Sequence, residues 1–254
     1  MLNSSLPPQI AVRLDNVSVK YSIPIDRVGT FKEYIIRHLH GPLHFQDFWA
    51  LNNINLEIQT GESIGIIGQN GAGKSTLLKV ISHVLFPTKG RLRIRGDISP
   101  LLELGAGFHP ELTGIENIYL NGSLLGYSRS DINEKFNEIL EFAQIGEFIN
   151  APLRTYSNGM IARLGFSVAT AWKPNILILD EILSVGDEEF REKCSIRLNS
   201  FKERGTTIIL VTHDLLIMQD LCSKAALLHK GELKFFGNVT DTINFYKAIG
   251  HFEE

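Results

Sequence analysis

Cysteine is scarce in this chain of 254 residues: Cys194 and Cys222 are the only two, and no C-x-x-C spacing links them. That leaves no disulfide framework to expect, only two reduced, half-buried thiols in segments that read as helical, as in the cytosol. Long apolar runs are also missing. The best candidate, Leu164 to Trp172, is bounded by Arg163 and Lys173 and falls far short of the ~20 apolar residues of a spanning helix. Met1 to Val12 has no basic segment followed by an apolar one, and Pro7 and Pro8 interrupt it, so no signal peptide is expected there. An excess of either charge is absent as well: Lys plus Arg number 25 against 28 Asp plus Glu, for a net charge of -3. Electrostatics therefore gives no reason to expect a nucleic-acid partner. There is no internal repeat and no low-complexity tract. With 44% apolar residues, the chain can bury the core of one large domain, or of a core with a subdomain.

Periodicity gives an α/β order of elements. Ala11 to Tyr21 and Leu51 to Ile58 alternate apolar and polar residues, which predicts two antiparallel strands. Between them Phe31, Tyr34, Ile35 and Leu39 share one face of a short amphipathic helix, in an insertion over about 22–48. That face suits packing on its own domain or contact with a membrane partner or lipid headgroups. Ser63 to Ile67 is a buried strand leading into a glycine loop, and Lys74 to Leu85 has helical spacing. Gly114 to Phe148 is helical and rich in charge, with Ile132, Phe136, Ile139, Leu140 and Ala143 on one stripe. Ile176 to Leu179 and Thr207 to Val211 are unbroken apolar runs, as parallel strands covered on both faces require. Leu227 to Phe236 reads as a hairpin turning at Lys230 and Gly231, and Asp241 to Ile249 as a helix capped by Thr240 or Asp241.

The chemistry concentrates at Gly68-Gln69-Asn70-Gly71-Ala72-Gly73-Lys74-Ser75, which fits G-x-x-x-x-G-K-[ST] between a strand and a helix. Its glycines let successive backbone N–H groups point inward, and the helix beginning near Lys74 aims its positive end at the same place. The residue types there predict that Lys74 reaches the β- and γ-phosphates of a nucleotide and that the Ser75 hydroxyl ligates Mg²⁺. Asp180 and Glu181 follow a parallel strand at its carboxyl end, where open α/β sheets bind ligands. Two adjacent acids suit two tasks: Asp180 to hold Mg²⁺, directly or through water, and Glu181 to act as general base toward an attacking water. His213 follows the next apolar strand and is positioned to hydrogen-bond the γ-phosphate or that water.

These segments, together with Tyr156-Ser157-Asn158-Gly159-Met160 and Ser184-Val185-Gly186-Asp187, occur in the order found in ATP-binding cassette (ABC) transporter ATPases, which the chain resembles over about residues 12 to 247. The stretch from Leu101 to Gly114 and the insertion before Phe48 resemble those of bacterial exporters of lipid-linked O-antigen (Wzt-like) and of teichoic acid. The resemblance implies an α/β P-loop NTPase (RecA-like) core with an antiparallel β subdomain, over about 1–98 and 165–250, and an inserted α-helical subdomain over about 99–164, all within one nucleotide-binding domain of 1–254. It implies a homodimer in which ATP lies between the phosphate loop of one subunit and Ser157 and Gly159 of the other. Such donors in trans are worth roughly 10³ to 10⁵ in rate at phosphoryl sites. The nucleotide contacts implied are Tyr21, Gly68, Asn70, Gly71, Ala72, Gly73, Lys74, Ser75, Thr76, Ser157 and Gly159.

The sequence departs from the family pattern at three places. Tyr156, Asn158 and Met160 replace letters of the usual Leu-Ser-Gly-Gly-Gln. No glutamine lies between Gln69 and Gln144, so the metal-sensing glutamine is missing and Glu103 is its nearest polar substitute. Tyr21 matches the aromatic that stacks on adenine, with Phe48 and Trp49 as competitors. The function implied is ATP hydrolysis that drives export of lipid-linked polysaccharide through a separate transmembrane permease, at the cytoplasmic side of the bacterial inner membrane. The alternative is a soluble ABC ATPase switching on nucleic acid or ribosomes, although the tandem cassettes or long coiled coils usual there are not visible. A nucleotide kinase would share the phosphate loop alone.

Overall fold

The computed structural model describes residues 9–24, 45–101, 105, 107–180 and 187–250. The first half of the chain contains β1 (Ile10–Pro24), β2 (Phe45–Gln59), β3 (Ser63–Ile67), α1 (Lys74–Ile81), β4 (Lys89–Ile94) and β5 (Ile98–Leu101). Three helices follow: α2 (Gly114–Leu124), α3 (Arg129–Ala143) and α4 (Asn158–Ala169). The remainder alternates β6 (Ile176–Asp180), α5 (Glu188–Glu203), β7 (Thr207–Val211), α6 (Leu215–Leu221), β8 (Lys224–His229), β9 (Glu232–Asn238) and α7 (Val239–Gly250).

The strands form two sheets. An antiparallel one has the order β2-β1-β4, and a larger one has the order β5-β6-β7-β3-β8-β9, parallel except for β9 at its edge. The unbroken apolar strands of the larger sheet divide between two cores with the period of two that a pleated strand imposes. Ile176, Ile178, Ile209 and Val211 face the small sheet and α1, whereas Leu177, Leu179, Ile208 and Leu210 pack with Phe190, Leu198 and Met218 of α5 and α6. A third cluster joins α2, α3 and α4 through Ile118, Ile132, Ile139 and Leu164. Helix α4 serves two clusters, since Leu164 and Val168 enter the third while Phe166 enters the second.

Several boundaries differ from the sequence reading. Helix α1 stops at Ile81, a turn before the predicted Leu85, because His83 adopts φ 58 and closes a left-handed cap, its amide on Val80 O and that of Val84 on Lys79 O. Helix α7 begins at Val239, and Asn238 rather than Thr240 or Asp241 caps it, accepting from the Thr240 amide at 2.9 Å. The first two strands are each 15 residues long, so the insertion between them narrows to residues 25–44. The predicted amphipathic face of Phe31, Tyr34, Ile35 and Leu39 lies outside the described residues. Lys230 and Gly231 both take positive φ, 49 and 78, giving the primed turn expected of the β8–β9 hairpin.

Cys194 and Cys222 are buried free thiols, pushed up to about 12 by burial, which leaves essentially no thiolate at neutral pH.

The approach to α2 hangs on Asn117, which is fully buried. Its amide donates to the carbonyls of His109, Leu112 and Thr113, and its Oδ1 accepts from the His109 amide at 2.7 Å. Asn117→Ala orphans several buried backbone groups together, at roughly 1–3 kcal/mol for each that stays unsatisfied. Urea unfolding should show a loss of about 3 kcal/mol, and a midpoint equal to that of the parent protein would refute this account.

Candidate functional site

Strands β3, β6 and β7 end side by side at the carboxyl edge of the large sheet, with Ile66 opposite Val211 and Val211 opposite Asp180. That register brings three predicted segments together. The phosphate loop leaves β3, Asp180 ends β6 half-buried, and His213 stands exposed just past β7.

The loop's shape depends on two close backbone approaches. A Cβ at Gly68 would lie 2.2 Å from the Leu228 carbonyl oxygen, and one at Gly73 would lie 2.6 Å from that of Ala50. Gly73 also takes φ 102 as the N-cap of α1, a conformation that costs other residues strain. Gly71 is exposed and a Cβ there would meet nothing within 4 Å, so the loop is open to solvent on that side. No side chain caps α1 and no acid stands in its first turn, which leaves its amide donors and dipole for an anion. Lys74 is 8% exposed, and its ammonium donates to the carbonyls of Gly68 at 2.7 Å and Gln69 at 3.0 Å. Open cradle, uncapped helix and inward ammonium fit a polyphosphate. Asn70 and Ser75 are exposed on the loop, Thr76 is half-buried and Ala72 is buried.

Among the described residues no group of three or more His, Cys, Asp and Glu could hold a metal ion. Ser75 and Asp180 carry the hydroxyl and carboxylate oxygens that Mg²⁺ accepts beside phosphate and water oxygens. Glu181 and Glu103, the predicted base and the predicted glutamine substitute, lie outside the described residues. So do Ser184, Val185 and Gly186 of the predicted turn, while Asp187 is described.

The adenine candidates stand on a two-stranded ribbon, where β1 and β2 run on past the end of β4. Tyr21 pairs with Phe48, and Lys20 pairs with Trp49, so the first pair shares one face and the second the other. Tyr21 continues the face on which Val19 enters the core beside Ala72 and Leu77. Trp49 faces away, with the ammoniums of Lys89 and Lys20 at 5.0 and 6.0 Å from its ring centre.

Ser157 and Gly159 are not part of this edge. They open α4 on the third cluster, where Ser157 is the N-cap and accepts from the Met160 amide at 3.2 Å, with no acid in the first turn. Two of the three unusual letters around them have a packing cause. Tyr156 is buried and donates its hydroxyl to the Phe148 carbonyl at 2.6 Å, and Met160 packs against the same cluster. Ser157 stays exposed and Gly159 half-exposed.

Sequence reasoning missed two contributors. Ala50 buttresses the loop through its carbonyl, and Arg163 reaches from α4 to Asp187. Their partners stand 23 or 24 positions away, beyond any local pattern, and the alternation that begins at Leu51 would put its neighbour Ala50 on the outer face.

Comparison with known proteins agrees with this geometry. The family model described as ABC transporter matches residues 51–184. The chain is 47% identical over 224 residues to the O-antigen export system ATP-binding protein RfbB of Myxococcus xanthus, an alignment covering 87% of this chain and 51% of that protein. It is 40% identical to the teichoic acids export ATP-binding protein TagH of Bacillus cereus, covering 94% of this chain and 42% of that one. The chain thus spans about half the length of these relatives. Among solved structures it resembles an ATP-binding cassette captured as a post-hydrolysis dimer with ADP and Pi, at TM-score 0.70 and 26% identity, covering 90% of this chain and 98% of that one. With a phosphate loop, an acidic strand end and a following histidine on one sheet edge, and a family match over more than half its length, the chain belongs to the ABC transporter family.

Proposed function

We propose that this chain is the ATP-hydrolysing subunit of an exporter that moves a lipid-linked polysaccharide across the cytoplasmic membrane through a separate membrane-spanning subunit. The observation that carries the ATPase half is the shared sheet edge of the phosphate loop, Asp180 and His213. The cargo rests on the relatives, whose names specify export of O-antigen and of teichoic acids, and these names favour export over a switch on nucleic acid or ribosomes. No helix among the described residues is long and apolar enough to cross a membrane, so the reading requires a partner that does. The chain then sits peripherally on the cytoplasmic face.

Bound ATP supplies the phosphoryl group, and Mg²⁺ offsets its charge. The loop amides and Lys74 orient the β- and γ-phosphates, and Ser75 and Asp180 would hold the metal. Tyr21 offers its ring to adenine, with Phe48 beside it on the same face. Glu181 takes a proton from the attacking water and His213 steadies that water or the γ-phosphate. Ser157 and the Gly159 amide of a second copy complete the site at the positive end of α4. Glu103 stands in for the glutamine that senses metal and permease.

Deleting the gene and analysing cell-surface polysaccharide tests the export half. The polymer should vanish from the surface and its lipid-linked form should accumulate inside; a normal surface polymer would exclude the cargo.

A further inference from the structure

Helix α4 carries more than its exposed first turn. Arg163 lies four residues after Gly159, on the same face of the helix. Its side chain is 18% exposed and its guanidinium engages three groups from two other helices. One nitrogen pairs with Asp187, another donates to Gln144 Oε1 at 3.4 Å just past the end of α3, and the plane lies over the Phe190 ring at 4.8 Å. Asp187 has a second task. Its other oxygen accepts from the Phe190 amide at 2.9 Å and caps α5. That backbone bond first, and Arg163 after it, hold the carboxyl below the usual carboxylate range. Phe142, Phe166 and Phe190, one from each of α3, α4 and α5, pack with ring centres 5.7 to 6.1 Å apart beneath the pair.

The junction ties together two parts that the proposed reaction uses separately. The positive end of α4 belongs to the phosphate site of a second copy, whereas Asp187 closes the stretch that begins with Asp180 and contains Glu181. We propose that Arg163 is a positioning residue: through Asp187 it fixes the first turn of α4, with Ser157 and Gly159, relative to the acidic end of β6. The inference rests on reading the site as an ATPase. A pair with one partner open to solvent adds little stability, roughly 0–1 kcal/mol. Its effect is geometric, and at a phosphoryl site a displacement of ~1 Å in a donor costs up to about 100-fold in rate.

Asp187→Asn isolates the pair, because asparagine caps a helix as well as aspartate does and removes the charge alone. Arg163→Ala removes the same contact from the other side, and Arg163→Lys restores the charge without the planar fork that spans three partners. On the full chain with Mg²⁺ and ATP, Arg163→Ala and Asp187→Asn should each lower kcat at least about ten-fold at unchanged KM. The double variant should be no slower than the slower single one, as for residues acting as a unit, and Arg163→Lys should fall between. Without nucleotide, hydrogen exchange at the amides of Met160, Ile161, Phe190 and Arg191 should speed up in both single variants, while that of Leu77 and Leu78 in α1 stays as in the parent. Should Arg163→Ala prove insoluble, Asp187→Asn carries the test. A parent chain that hydrolyses ATP beside variants of equal kcat, or losses that multiply, would overturn the role of Arg163 alone. A parent chain that neither binds nor hydrolyses ATP would overturn the ATPase reading as well.

Discussion

Replacing Lys74 by alanine is expected to weaken ATP binding by 10² to 10³-fold and to remove measurable turnover. The ammonium is held inside the loop by the Gly68 and Gln69 carbonyls, so it is oriented before any ligand arrives. Two hydrogen bonds to phosphate oxygens, at roughly 1.5–3 kcal/mol each for charged partners, account for a loss of that size. The carbonyls left behind can turn to water at the mouth of the loop, so folding should survive, and circular dichroism checks this. Titration with a fluorescent ATP analogue measures the affinity, and a variant binding as tightly as the parent would remove Lys74 from the phosphate site.

Glu181→Gln should have a comparable effect on rate and the opposite effect on the complex. Glutamine has nearly the same shape but takes no proton, and loss of a general base costs roughly 10² to 10⁴ in rate. Asp180, the loop and Lys74 are untouched, so ATP still binds, and removing one negative charge beside the γ-phosphate favours the bound state. Light scattering with Mg²⁺ and ATP should report a long-lived particle of twice the chain's mass. Turnover at the parent rate would strike Glu181 from the mechanism, and a variant monomeric under saturating ATP would refute the shared site.

Much of this was legible because the nucleotide edge is made of local patterns. A strand, eight loop residues and a helix are contiguous, so Gly68 to Ser75 announces both its shape and its ligand. Strands β6 and β7 read as covered on both faces since a run without polar letters has no side to give to water. Their order beside β3 is set by pairing between strands far apart in sequence, which the letters do not show. What stayed hidden depends on distant contacts. Strand β5, with Pro100 and Ser99 among four residues, carries no strand signal, and its pairing with β6 alone makes it one. Helix α1 was read too long because His83 takes a left-handed conformation usually left to glycine. Which aromatics share a face of the ribbon could not be read either, as it depends on the register of Tyr21 with Phe48 and of Lys20 with Trp49.

Tyr156 has a consequence for how this cassette can vary. Its hydroxyl occupies the space that any side chain at Gly114 would need, for a Cβ there would come within 2.4 Å of the oxygen. The two positions, 42 residues apart in sequence, are therefore one volume shared between two letters. Ile149 closes the same space, with its Cδ1 at 2.7 Å and its carbonyl oxygen at 3.0 Å from that Cβ, so shortening Tyr156 toward leucine still leaves Gly114 hemmed in. The tyrosine that opens the pentapeptide is thus fitted to the glycine that begins α2, and its place in this cassette is one of packing rather than of contact with phosphate.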